Sequence, residues 1–132
     1  MSDTQSFDLH AAILEQSADA VIFADPAGLI RLWNGAAERL FGVAADTAIG
    51  QSLDIIIPER LRAPHWRGYE AAMQSARTVH AGKPTLTKAL HASGESIYVQ
   101  MSFAVVVAPD GVVQGSVAIA RSAPAPTPAA PR

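Results

Sequence analysis

The stretch 19-DAVIFADPAGLIRLWNGAAERLFG-42 decides how this chain folds. Two short β-type runs, 20-AVIFA-24 and 29-LIRLWN-34, flank 25-DPAG-28. Proline followed closely by glycine is turn chemistry, so the two runs should form a hairpin. The period then changes. In 34-NGAAERLFGV-43 the Asn34 side chain can cap a short helix, Ala37, Leu40 and Phe41 fall on its inward face, and Gly42 ends it.

Working outward, 7-FDLHAAILEQSADA-20 spaces Phe7, Ala11, Leu14 and Ala18 as an amphipathic helix, which is expected to form an N-terminal cap within residues 1–18. Residues 44–58 hold two short pieces with capping candidates at Asp46 and Ser52. Glu59 to about Ala76 is the longest helical candidate. Pro64 interrupts it, and proline suits a first turn better than an interior, so the main helix should begin at Pro64 or His65.

The rest reads as strand. In 78-TVHAGKPTLTKALHA-92, Gly82 and Pro84 leave only the later half as a strand. The turn 93-SGE-95 leads into 96-SIYVQMSFAVVV-107, where Ile97, Val99, Met101, Phe103 and Val105 share one face, and Tyr98, Gln100 and Ser102 the other. The turn 109-PDG-111 leads into 112-VVQGSVAIA-120. A domain over 19–121 should therefore be followed by a disordered Pro/Ala-rich tail over 122–132. Hairpins at both ends with helices between them predict an α+β domain, an antiparallel sheet with helices on one face. A ligand would sit between the sheet and the long helix.

Composition narrows the chemistry. At 132 residues, with 49% apolar and 17% charged, the chain has the size and balance of one folded domain. A net charge of −2 with no basic block gives no footprint for nucleic acid. No apolar run approaches the length of a membrane span and MSDTQSFD lacks the pattern of a signal peptide, so a cytoplasmic protein is expected. The absence of cysteine removes thiolate metal sites, iron–sulfur clusters and cysteine-linked chromophores. A non-covalent flavin needs only an apolar cavity with a few polar contacts and stays open. The four histidines, His10, His65, His80 and His91, show no zinc spacing, and no nucleophile elbow or phosphate loop is present.

The order of elements, with 19-DAVIFADPAGLIRLWNGAAERLFG-42, 49-IGQSLDIIIPERL-61 and the SGE and PDG hairpins, resembles the PAS domain family of sensor modules from about Ala11 to Arg121. The resemblance implies a five-stranded antiparallel sheet with short helices and one long helix packed across one face. Within that family, PERLRAPHWRGY is similar to the corresponding segment of haem-binding PAS sensors, the FixL-type oxygen sensors and the direct oxygen sensor phosphodiesterases. It implies haem b with His65 as proximal ligand to the iron.

The residues themselves point the same way. On a helix running from His65, the residues Gly68, Tyr69, Ala72, Met73 and Ala76 share a face, and Gly68 and Ala72 leave a slot for a flat macrocycle. Across from it the sheet offers Val99, Met101, Phe103 and Val105 as apolar walls, and haem needs such walls and one axial base. The distal arginine or methionine of those sensors has no counterpart at Lys83 or Thr85 in 82-GKPTL-86. A distal pocket of Leu86, Met101 and Phe103 would favour carbon monoxide or nitric oxide over oxygen. Alternatively His80, or Met101, would supply a sixth ligand and make the haem a redox sensor. Arg67, Arg77 and Lys83 are candidates for the propionates, Arg77 first.

Trp66 should pack or lie at an interface, Trp33 and Asn34 should be structural, and His10 and His91 should be exposed. Intrinsic catalysis is not expected, beyond a weak peroxidase activity of the haem. The resemblance further implies a homodimer through the leading helix and outer sheet face, with a downstream signalling partner. The competing reading is a cofactor-free PAS module for dimerisation or for binding a partner or small metabolite. It would hold if Trp66 or Phe103 filled the slot at Gly68 and Ala72.

Overall fold

The first strand, β1 (Ala20–Ala24), is buried at four of its five positions, and a strand so covered must lie inside its sheet. In the computed structural model, which describes residues 7–76 and 83–126, β1 sits between β2 (Ile30–Trp33) and β5 (Val113–Ala123). With β3 (Thr85–Leu90) and β4 (Ser96–Val107) they form one antiparallel sheet of five strands in the order β2-β1-β5-β4-β3. The expected hairpin closes through Asp25, whose Oδ1 accepts the N–H groups of Ala27 and Leu29 at 3.0 Å each, while Oδ2 pairs with Arg31 Nε at 2.9 Å. Gly28 has φ +84°, and a Cβ there would strike the Trp66 ring, so two separate demands fix glycine at that position. The outer edge of β2 is stitched to the segment after it: Ile30 donates to Gln51 O at 2.8 Å and Gly50 to Ile30 O at 2.7 Å. At the other side of the sheet, β3 is the edge strand among the described residues.

Asn34 ties three elements together. Its Oδ1 accepts from Val21 N at 2.9 Å and from Ala37 N at 3.0 Å, the latter capping α2 (Gly35–Phe41). Its Nδ2 donates to Leu14 O at 2.7 Å and Asp19 O at 3.0 Å, which holds the end of α1 (Leu9–Gln16) against the hairpin. Gly42, with φ +76°, ends α2 as the sequence predicts. The helix α3 (Ala45–Ala48) starts without a cap from its own residues; Ala45 N instead donates to Glu38 Oε2 at 2.7 Å, and Asp46 lies in the first turn. Ser52 does cap, accepting from Asp54 N at 3.0 Å at the start of a 3-10 turn, Leu53–Ile56.

The long helix, α4, runs unbroken from Glu59 to Ser75 through Pro64, so the expected start at Pro64 or His65 is corrected. Pro64 lies in the second turn, where it removes only the bond to the Arg60 carbonyl, next to first-turn N–H groups that have no intrahelical partner in any case. The first turn is secured from outside. Leu61 N donates to Pro58 O at 2.8 Å and Arg62 Nε to Ile57 O at 2.9 Å. At the far end of the chain β5 runs past Arg121, with Ser122 and Ala123 paired to Val99 and Tyr98. A tail beginning at 122 would start inside this strand; residues 127–132 lie outside the described residues. Phe41, Ile22, Ile30 and Val99 centre the core, whereas α4 contributes only Tyr69 to the buried set.

Because Asn34 is 2% exposed and uses both ends of its amide, Asn34→Ala removes a helix cap and leaves the Val21 N–H buried without a partner. We expect a loss of about 2–4 kcal/mol, read as a lower urea midpoint at unchanged m-value.

Candidate functional site

Two aromatic side chains hold α4 to the β1–β2 hairpin. Trp66 Nε1 donates to Asp54 Oδ1 at 2.8 Å, and its ring lies over Gly28. The Tyr69 hydroxyl donates to Asp25 O at 2.7 Å, stands 3.3 Å from Ala24 O, and accepts from Ser116 Oγ at 3.2 Å. Burial raises the Tyr69 pKa, so the hydroxyl keeps its proton at neutral pH. With its hairpin side fixed, the rest of α4 stands clear of the sheet. Between α4 and strands β3 and β4 lies a cavity of about 560 Å³, within the roughly 300–1,000 Å³ range of small-molecule pockets.

His65 lies on its wall. The imidazole stacks on Tyr69 at 5.8 Å between centroids and meets the Trp66 ring edge-on at 4.7 Å. Its Nδ1 is buried and has no hydrogen-bond partner among the described residues. Burial lowers its pKa, and the Asp54 carboxylate pulls the other way with less effect. The ring is therefore neutral near pH 7, the form in which an imidazole can bind a metal.

Gly68, Tyr69, Ala72 and Met73 line the same wall, with Met101 and Phe103 opposite. A Cβ built on Gly68 meets nothing within 4 Å, and Trp66 points to Gly28 rather than into the slot. Three expected wall residues, Val99, Val105 and Leu86, do not line the cavity. Val99 is fully buried in the core, paired with Thr87 and Ser122, and does not reach the cavity. Leu86 is 40% exposed on the outer face, because the strand alternation that buries Ala89 turns Thr85 and Thr87 inward.

Leu86 shares that outer face with Lys88, whose ammonium lies 5.6 Å from the Tyr98 ring centroid. The far wall is consequently mixed, with Lys83, Thr85, Thr87 and Ser116 beside Met101 and Phe103, which corrects the wholly apolar distal pocket expected from the sequence. The inward parity of Thr85 and Thr87 was available from the alternation of 85-TLTKAL-90, but Leu86 drew the reading to the wrong face. Ser116 was missed outright; only its pairing with Tyr69 reveals it.

Arg67 is exposed and off the cavity wall, while Arg77 and His80 lie outside the described residues. His91 is half-buried rather than exposed: its ring occupies the space a Cβ on Gly42 would need, and Nδ1 accepts from Ser93 N at 3.0 Å. His10 is exposed, and Trp33 donates to Val43 O at 2.9 Å as a structural group. Among the described residues no three His, Cys, Asp or Glu side chains gather as a metal site, so a bound metal would have to bring most of its own ligands. No helix among them is long and apolar enough to cross a membrane.

Comparison with known proteins gives a consistent picture. The family described as PAS fold matches residues 9–123. Sensor protein FixL of Bradyrhizobium diazoefficiens is 46% identical over 54 residues, which cover 41% of this chain and 11% of FixL. This chain thus corresponds to a small part of that protein. Among solved structures, the PAS domain of a protein from Colwellia psychrerythraea superposes with a TM-score of 0.74 at 19% identity, covering 86% of this chain and 93% of its own. An RNA-binding Light-Oxygen-Voltage receptor gives a TM-score of 0.68 at 16% identity, over 92% of this chain and 37% of the receptor. At such identities the two structures speak for the fold alone.

The lowered pKa of His65 sets a pH dependence. Below the ordinary value of 6.5 the unfolded chain takes up a proton that the buried ring resists, so the unfolded state binds more protons and stability falls with pH. We expect the urea midpoint to drop between about pH 7.5 and about pH 5.5, and to drop less in His65→Gln. Equal slopes in the two proteins would remove His65 as the cause.

Proposed function

The chain belongs to the PAS family, and from that premise we propose that it is a haem-binding sensor domain. Haem b is held in the cavity with His65 as its proximal ligand, and the signal is a diatomic gas or a change of redox state. One observation carries this reading: a 17-residue helix with a single buried residue stands over a 560 Å³ cavity into whose wall is built a buried imidazole nitrogen without a partner among the described residues. When bound, haem supplies an iron with an exchangeable position for a gas, or a site for an electron.

The chain's own residues supply the rest. Tyr69, pinned through its hydroxyl, fixes the His65 ring from one side, and Trp66 from the other. Gly68 and Ala72 keep backbone and methyl alone along the helix, and Met101 and Phe103 offer an apolar face across from it. Lys83, at the cavity wall, is the cation for the acid groups of haem, with Arg77 proposed as a second. The hydroxyl of Thr85 gives the far side a donor for a polar ligand, which brings oxygen back beside carbon monoxide and nitric oxide as the gas sensed. His80 keeps its proposed role as an opposing ligand in a redox form.

The sensor acts without a reaction of its own, in the cytoplasm, by pairing with a second copy and engaging a downstream partner. For the pairing, α1 offers Leu9 and Ile13 exposed on a helix with no buried residue, with Phe7 exposed just before it. A module that dimerises without any cofactor would use that same helix. The open space at Gly68 and the outward packing of Trp66 weigh for the haem reading over it.

Protein isolated from cells supplied with haem precursor should show a Soret band at one haem per chain, lost or shifted in His65→Ala. A colourless protein that stays so after haem titration overturns the proposal. Gly68→Leu supplies a second check. It should stabilise the haem-free protein by about 0.5–1 kcal/mol, since leucine is the better helix former and meets open space, while abolishing haem uptake.

A further inference from the structure

His65 departs from most metal-binding histidines in one respect. A histidine that ligates through one ring nitrogen almost always donates the N–H of the other to a carboxylate, a carbonyl or a water, and that bond makes the ring a stronger base. Here Nδ1 is buried and has no hydrogen-bond partner among the described residues, which leaves Nε2 to meet a metal from the cavity wall.

The neighbouring acceptors are engaged elsewhere. The Asp54 carboxylate, the charge that acts on His65, accepts from Trp66 Nε1 at 2.8 Å and stands 3.9 Å from Arg62 Nε. Tyr69 stacks its ring on the imidazole but directs its hydroxyl to Asp25 O and Ser116 Oγ. Ser116 and Thr87 share the walls around His65, and their hydroxyls point to Tyr69 and to the Thr85 carbonyl. Side chains on a helix lean towards its N-terminus, so the imidazole lies over the preceding turn. The residue there is Leu61, which borders the same space and carries no polar side-chain atom.

This arrangement has an electronic consequence. A ring bound through Nε2 keeps its proton on Nδ1, and with no acceptor drawing on that proton the imidazole gains no anionic character. Such a weak donor does little to stabilise the oxidised, more highly charged form of a haem iron. Burial among apolar and aromatic side chains disfavours the extra charge as well. Both effects raise the reduction potential.

We propose that His65, without an acceptor at Nδ1, tunes a bound haem towards its reduced state, so that the site responds to a diatomic gas rather than to a change of redox state. The inference rests on the haem reading above and selects between its two signals. Leu61 is a positioning residue in this scheme, acting through His65 by keeping an acceptor away from Nδ1.

The test compares haem-loaded wild type with Leu61→Met, Leu61→Gln and Leu61→Glu. Resonance Raman reads the iron–histidine stretch of the reduced protein, and spectroelectrochemistry reads the one-electron midpoint potential. From wild type to Leu61→Gln to Leu61→Glu the stretch should rise and the potential fall. Leu61→Met, of similar volume and without an oxygen acceptor, should leave both in place. Should the glutamate variant fail to fold, the glutamine variant carries the comparison. A second measurement needs no haem. In nitrogen-labelled histidine NMR of the haem-free chain, the His65 Nδ1 signal, assigned by its loss in His65→Gln, should lie where ring nitrogens without a hydrogen bond resonate. A signal at a hydrogen-bonded position, as a water bridging to Ser116 or Thr87 would give, overturns the inference. Equal stretches and potentials in wild type and the acceptor variants, or equal shifts in Leu61→Met, overturn it too. A colourless protein overturns it together with the haem reading, whereas a coloured protein with unmoved values overturns this inference alone.

Discussion

What the rest of this structure depends on is how α4 is tethered. Helices are usually held to a sheet by an apolar face, and an isolated helix of this length is only marginally stable. Here one residue of α4, Tyr69, is buried, and the tether consists of two aromatic side chains reaching sideways to the hairpin. Trp66 needs Gly28 beneath it, and Tyr69 needs the carbonyls of Ala24 and Asp25 at the end of β1. The turn that opens the domain therefore sets the distance at which its longest helix stands from the sheet. The cavity is what that distance leaves.

The electrostatics of the cavity follow from the same arrangement. His65 lies between the two tethers, so its ring is oriented by neighbours that are themselves fixed. Asp54, which accepts from Trp66, is the charge that acts on His65, but burial of the ring outweighs it. Across the cavity the polar groups come from β3, from Lys83 just before it, and from β5. The site thus has a neutral basic nitrogen on its helical side and hydroxyl and ammonium donors on its sheet side, a division that suits a ligand with one coordinating centre and one polar end.

Much of this was legible in the sequence, for identifiable reasons. The hairpin, the Asn34 cap and the Gly42 stop depend on local chemistry, and local chemistry is written in consecutive residues. The face shared by His65, Gly68, Tyr69 and Ala72 follows from helical spacing once a helix is assumed. Misreadings arose where a tertiary contact overrode a local rule. Pro64 did not break α4, because so near the helix start it removes one bond, and the bonds from Leu61 to Pro58 and from Arg62 to Ile57 hold that end in place. Leu86 looked like a wall residue by its chemistry, yet the parity of β3 turns it to solvent. Val99 faces inward as alternation requires, but inward at its height in β4 means core rather than cavity. His91 packs against Gly42, a contact between residues far apart in sequence.

The two rims of the sheet carry a consequence of a different kind. An unpaired strand edge is a template on which another chain can add a strand, and proteins that remain in solution blunt such edges. The β2 rim is closed by its own loop, through the bonds between Ile30 and residues 50 and 51. The β3 rim has no partner strand among the described residues, but Pro84 stands immediately before the strand, where it has no N–H to offer, and Lys88 places a charge on its outer face over Tyr98. Strand addition and fibrous aggregation are thus opposed at both ends of the sheet, leaving self-association to surfaces that do not use the backbone.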